Sequence, residues 1–147
     1  MKTGKLLLAA LLCLLAFNAS AEYVNLQTVA ITTDTGGDDT EYTAVVTGCV
    51  AQVRYIPDAT TPLDTGADLD ITGEDTGIVV ANHDNIGTSA FTVAYRQATH
   101  AVDGSASLYA AAGEPVEAPV CVANERLKVV IANGASTKSG TFYIWIK

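Results

Sequence analysis

Short runs in which apolar and polar residues alternate recur along this chain from Val24 to its last residues, broken by clusters of Gly, Asp, Thr and Asn. A period of two over four to eight residues, with Val, Ile, Thr and Tyr at the apolar positions, is the pattern of half-buried β-strands. It predicts strands over Val24–Thr32, Tyr42–Val46, Cys49–Ile56, Asp68–Thr72, Ile78–Ala81, Phe91–Tyr95, Ala106–Ala110, Pro119–Val122, Leu127–Ala132 and Thr141–Ile146. The alternation is clearest at the end. In "RLKVVIA" the residues Leu127, Val129 and Ile131 share a face, and in "GTFYIWIK" Phe142, Ile144 and Ile146 oppose Tyr143 and Trp145. The link between these two strands starts with Asn133-Gly134, a hairpin signal. Both faces of the last strand are apolar, as in a central strand or one covered by a neighbouring subunit. Tyr143 and Trp145 are therefore the candidate assembly contact, with inter-sheet packing as the alternative fate of such residues.

No window carries a long amphipathic helical pattern. The alanine cluster in "SLYAAAGEPVEAPV" is interrupted by Gly113, Pro115 and Pro119. The expected fold is all-β: a β-sandwich or jelly-roll-like barrel of about eight to ten short strands.

Residues 1–21 follow a different pattern. Lys2 and Lys5 precede an apolar run from Leu6 to Phe17, closed by Ala19-Ser20-Ala21. This reads as a secretory signal cleaved before Glu22, leaving one domain over residues 22–147; an uncleaved anchor or an N-terminal helix are the alternatives. The run is short for a bilayer span, so no stable membrane insertion is expected after cleavage. Cys13 follows Leu11 and Leu12, which is not the small residue a lipoprotein signal requires.

Charge changes the picture of partners. Beyond residue 21 there are six basic against sixteen acidic residues, a net charge near −10. Nucleic acid, which is bound by neutralising phosphates, and anionic lipid surfaces are thereby disfavoured. Cys49 and Cys121 remain after the signal, either as one disulfide, which export would permit, or as two separate buried thiols.

The segment "TPLDTGADLDITGEDTG" holds Asp64, Asp68, Asp70, Glu74 and Asp75 within seventeen residues. Aligned as an EF-hand loop from Asp68, it supplies Asp70, Thr72 and Gly73 in place, but position twelve is Val79 instead of the bidentate Glu. A turn, a polar-faced strand and a second turn account for it better, the acids discouraging edge-to-edge pairing. An irregular calcium site on Asp64, Asp68 and Glu74 is the alternative. Asp34-Thr35-Gly36 and Asp64-Thr65-Gly66 match the tripeptide of aspartic proteases, but without longer context such tripeptides are ordinary turns. His83 and His100 lack Cys or His partners at metal-ligand spacing. There is no G-x-S-x-G elbow and no phosphate-cradling glycine loop. No cofactor and no enzymatic activity is expected.

Four longer phrases carry a resemblance: "VTGCVAQVRYIPD", "TPLDTGADLDITGEDTG", "AYRQATHAVDGSASLYAAAGEPV" and "VANERLKVVIANGASTKSGTFYIWIK". Over about residues 28–147 the chain resembles small all-β virion-associated proteins, head- or decoration-like, of tailed bacteriophages and prophages. The resemblance implies a non-enzymatic structural protein that acts by protein–protein assembly, on a protein lattice or with itself, located in the virion. The signal-like Met1–Ala21 departs from that family, whose members begin close to the first strand. It favours a second expectation: an exported β-sandwich, either a surface-filament subunit or a ligand- or glycan-binding module. Chaperone–usher pilins share the size and signal, but end in a penultimate Tyr where this chain has Ile146.

Overall fold

The computed structural model describes residues 23–147; the proposed signal, Met1–Ala21, lies outside the described residues. The described chain is all-β, with nine strands: β1 (Asn25–Thr32), β2 (Asp39–Pro57), β3 (Asp68–Gly73), β4 (Val79–His83), β5 (Phe91–Val93), β6 (Arg96–Ala98), β7 (Glu117–Pro119), β8 (Cys121–Ala132) and β9 (Ser139–Ile146). Every pairing is antiparallel.

The long strand β2 organises the fold. Its first half pairs with β8, and β8 continues to β3 and β4; its second half pairs with β9 and β5, and β9 continues to β1. Two sheets therefore share one strand, sheet A (β1, β9, second half of β2, β5) and sheet B (first half of β2, β8, β3, β4). Between them lies a single apolar cluster. Val29, Ile31, Val53, Tyr55, Phe142 and Ile144 come from sheet A, and Leu69, Ile71, Leu127, Val129 and Ile131 from sheet B, all buried. Each set follows the period of two, which is why these residues, spaced two apart in sequence, meet across one interior.

The alternation predicts two strands where there is one. Tyr42–Val46 and Cys49–Ile56 are parts of β2, joined through Gly48. Two β-bulges bend the strand against β8, between Tyr42 and Val45 and between Val46 and Gly48, and a third interrupts its pairing with β9 between Val50 and Gln52. Hydroxyls fill the gaps the first two leave. The Leu127 amide donates to Thr43 Oγ1 at 2.9 Å, and the Asn124 amide to Thr47 Oγ1 at 2.9 Å. At Gly48 the backbone has φ +140°, and a Cβ there would lie 2.8 Å from the Lys147 carbonyl oxygen and 2.8 Å from Ile146 Cγ2. Gly48→Ala is expected to destabilise by about 2 kcal/mol or more, because backbone strain and overpacking add at a point that cannot yield. An unchanged urea midpoint for this variant would contradict that account of the bend.

Side chains bridge both seams between the sheets. On one side Gln27 Oε1 accepts from the Ala44 amide at 3.1 Å and Asp39 Oδ2 from the Thr32 amide at 2.7 Å, joining β1 to the first half of β2. On the other, His83 at the end of β4 packs on Phe91 of β5, ring centroids 5.2 Å apart, and its Nδ1 lies 2.8 Å from the Tyr95 hydroxyl. These contacts span the seams without strand pairing across them, so the architecture is a sandwich joined at β2.

The predicted strand at Ala106–Ala110 does not form. Only isolated bridges, His100 to Ala106 and Leu108 to Pro115, occur there, in an excursion between β6 and β7. The segment bonds only to the chain just before and after it, near Thr99 and Glu114–Val116, and not to either sheet of the sandwich.

Candidate assembly surface

The outward faces of the two sheets differ in chemistry. Sheet B presents polar pairs beside scattered exposed apolar residues, Tyr42, Val45 and Val79. Asn82 donates to Asp70 Oδ1 at 2.6 Å, and Arg126 makes a bidentate ion pair with Glu74 while its guanidinium sits 4.5 Å from the Tyr42 ring centre. Sheet A presents an aromatic row. Trp145 of β9 lies between Leu26 of β1 and Gln52 of β2, and one step along, Tyr143 lies between Thr28 and Arg54. The rings of Tyr143 and Trp145 are 6.2 Å apart and tilted. Both are half-buried by their neighbours, while Leu26 is 47% exposed and Arg54 is exposed. β9 is the central strand of sheet A, so its inward residues Phe142, Ile144 and Ile146 form core, and Tyr143 and Trp145 are left on the outside. Further along this face a shallow groove of about 310 Å³ runs past Tyr143, Thr141, Ile56 and Asp58.

The remaining predicted positions lie elsewhere. Cys49 and Cys121 are register partners across β2 and β8, and their sulfurs are bonded. The acidic stretch splits into separate local roles. Asp64 accepts from the Thr65 amide, Asp68 from the Asn85 amide and the Asn133 side chain, Asp70 from Asn82, and Glu74 from Arg126. Among the described residues no three His, Cys, Asp or Glu side chains converge as a metal site would require. In the other Asp-Thr-Gly, Asp34 Oδ1 accepts from the Gly36 and Asp38 amides, closing a turn. His100 is exposed, whereas His83 belongs to the β4–β5 seam, a placement nothing adjacent to it in sequence announces.

Sequence reasoning missed Glu125. This carboxylate is 3% exposed and accepts from the Asp75 and Thr76 amides, each at 3.1 Å, and from the Thr76 hydroxyl. It holds the turn between β3 and β4 from below, while Arg126 holds Glu74 from outside. The phrase "NERL" gives no local hint of this, because the partners lie about fifty residues away.

Several surface carboxylates are held below their ordinary pKa by donors aimed at the ionised form. For Asp34 these are the Asp38 and Gly36 amides, for Asp58 the Thr60 amide and hydroxyl with the Thr61 amide, and for Asp68 the Asn85 amide and Asn133 side chain. Arg126 does the same for Glu74, and Ser105 for Asp103. A depressed folded-state pKa stabilises the fold above the unfolded value, near 4, and that stabilisation is lost as pH falls through the folded values. The melting temperature is expected to decline steadily from about pH 5 toward pH 2, and a flat profile over that range would count against these hydrogen bonds. At the alkaline end, burial pushes the Tyr95 hydroxyl up to about 12 and raises Tyr55, whose hydroxyl lies against the Leu63 backbone without a well-formed hydrogen bond. Tyrosinate absorbance should show a late phase that Tyr95→Phe diminishes, and a late phase of undiminished amplitude in that variant would refute the assignment. A raised folded pKa also means that stability falls as pH rises from about 10 through 12.

No family model matches the chain, and no curated protein matches it. Among solved structures, the crystal structure of FLHE aligns with 84% of this chain and 97% of its own, at 11% identity and a TM-score of 0.34. At that similarity the likeness carries no further argument.

Proposed function

We propose that this chain is a non-enzymatic structural protein of a phage or prophage particle, head-associated or decoration-like, that works by protein–protein assembly. One observation carries the reading. Trp145, Tyr143 and Arg54 adjoin one another on the outward face of sheet A, and Trp, Tyr and Arg are the residue types that dominate binding energy at protein interfaces. The phrase-level resemblance over residues 28–147 supplies the kind of particle. The net charge near −10 keeps free subunits soluble and turns away nucleic acid.

A second reading, an exported β-sandwich of a filament or a ligand- or glycan-binding module, is favoured by the Cys49–Cys121 bond, since disulfides persist in oxidising compartments. One fractionation separates the two. A tagged copy is expressed in the encoding host, particles are induced and purified on a density gradient, and the particle, periplasmic and medium fractions are compared by mass spectrometry. The particle reading expects the chain in fixed ratio to the major capsid protein. Recovery solely from periplasm or medium, beginning at Glu22, would sink it in favour of the second.

A further inference from the structure

Between β6 and β7 the chain leaves the sandwich and returns about twenty residues later without contributing to the core cluster. This arm is nonetheless built. The Thr99 amide donates to the Val116 carbonyl and the Val116 amide to Ser107, while tight turns close at Ala101–Ser105 and Ala110–Gly113. Its large apolar side chains face outward, with Val102 fully exposed, Tyr109 76% exposed and Leu108 41% exposed. Apolar residues clustered at the tip of an ordered arm that stands outside the core point to a contact with another molecule.

We infer that this cover is the outward face of sheet A on a second copy of the same chain, with Leu108 and Tyr109 seated over Leu26, Tyr143 and Trp145. The inference rests on the assembly reading above and gives it a surface. Charge selects the occupant. Arg54 is exposed beside Tyr143 in register and has no carboxylate partner among the described residues. The arm carries an exposed carboxylate, Glu114, whose backbone carbonyl accepts from the Tyr109 amide, so an acid and the apolar tip arrive together. Among the described residues Arg54 is the one cation whose register partner is an aromatic of sheet A, so it offers that acid an address beside the apolar row. The stretch Ala110–Ala112 between them is small and uncharged, which lets the arm lie close against rings. Arm and face are different surfaces, so the contact is heterologous and propagates from copy to copy into a ring or an open row, as a lattice protein requires.

The test is sedimentation velocity on the full chain over a range of concentrations. The unaltered protein is expected to associate with rising concentration. Leu108→Ser with Tyr109→Ser on the arm, and separately Arg54→Glu on the face, should each weaken association about tenfold or more. Because the contact is heterologous, each variant keeps one intact half. An equimolar mixture of the two should form a defined dimer, and Glu114→Arg should restore association with Arg54→Glu. All of these positions are exposed, and a melting curve for each variant checks folding. A chain that stays monomeric at every concentration, variants that associate like the unaltered protein, or a mixture that remains monomeric would each overturn the inference. Fixed-ratio incorporation into particles alongside any of these outcomes leaves the assembly reading standing with a different protein as partner. Absence from particles removes that reading whatever the sedimentation shows.

Discussion

Replacing Cys49 and Cys121 together by alanine is expected to lower stability by about 2–4 kcal/mol and the melting temperature by about 10 °C. The bond closes a 72-residue loop, and restricting so long a loop removes much of the unfolded chain's freedom. Its position adds to the effect. Cys49 follows Gly48, where β2 bends from sheet B to sheet A, and the Cys49 amide and carbonyl also bond the Lys147 backbone. The start of β8, the end of β9 and the turning point of β2 are thus tied together at one place. Urea unfolding of the double variant, compared with the oxidised parent, reads the loss directly. Parallel curves with the same midpoint would mean that the bridge contributes nothing, and two free thiols in protein recovered from the host would mean that it does not form there.

Glu125→Ala is expected to cost about 3 kcal/mol. The substitution leaves the Asp75 and Thr76 amides and the Thr76 hydroxyl without their acceptor, all three at once, in a part-buried turn. A Cβ at Gly73 would lie 2.6 Å from the Thr76 hydroxyl and 2.8 Å from the Glu125 carboxyl carbon. Hydrogen bonds to a charged acceptor are among the stronger ones, and here several are lost together. Glu125→Gln keeps the shape and one acceptor oxygen, so it should recover part of the loss. Hydrogen exchange supplies the local readout: the amides of residues 73–78 should lose protection in the alanine variant. If alanine and the parent unfold at the same urea concentration, the turn is held by its own backbone and the role assigned to Glu125 is wrong.

This turn also shows what the acidic stretch is. In sequence its five carboxylates invite comparison with a cation loop, and the missing ligand at Val79 argues against one. In the fold each of Asp64, Asp68, Asp70 and Glu74 serves a different neighbour, three of them distant in sequence. The residue that organises the final turn, Glu125, lies in another strand altogether. A spacing rule inspects one segment at a time, so it can reject a motif but cannot find a partner on β8.

What the sequence determined by itself is whatever depends on neighbours along the chain. Alternation with period two specifies strands wherever a face must be buried, which is why β1, β3, β4 and β9 lie within a few residues of their predicted positions, why β8 joins the predicted Pro119–Val122 and Leu127–Ala132, and why the described chain is all-β. The same alternation divides Phe142, Ile144 and Ile146 from Tyr143 and Trp145. Tertiary structure alone decided which face became interior, because that depends on where sheet B lies. It decided that Tyr42–Val46 and Cys49–Ile56 are one bent strand, since the bulges form against β8, which arrives some seventy residues later. It also decided that Cys49 meets Cys121, and that residues 99–116 stand away from the core although Ala106–Ala110 within them reads as strand. Pairing register and closure of distant segments are properties of the returning chain, and no local window contains them.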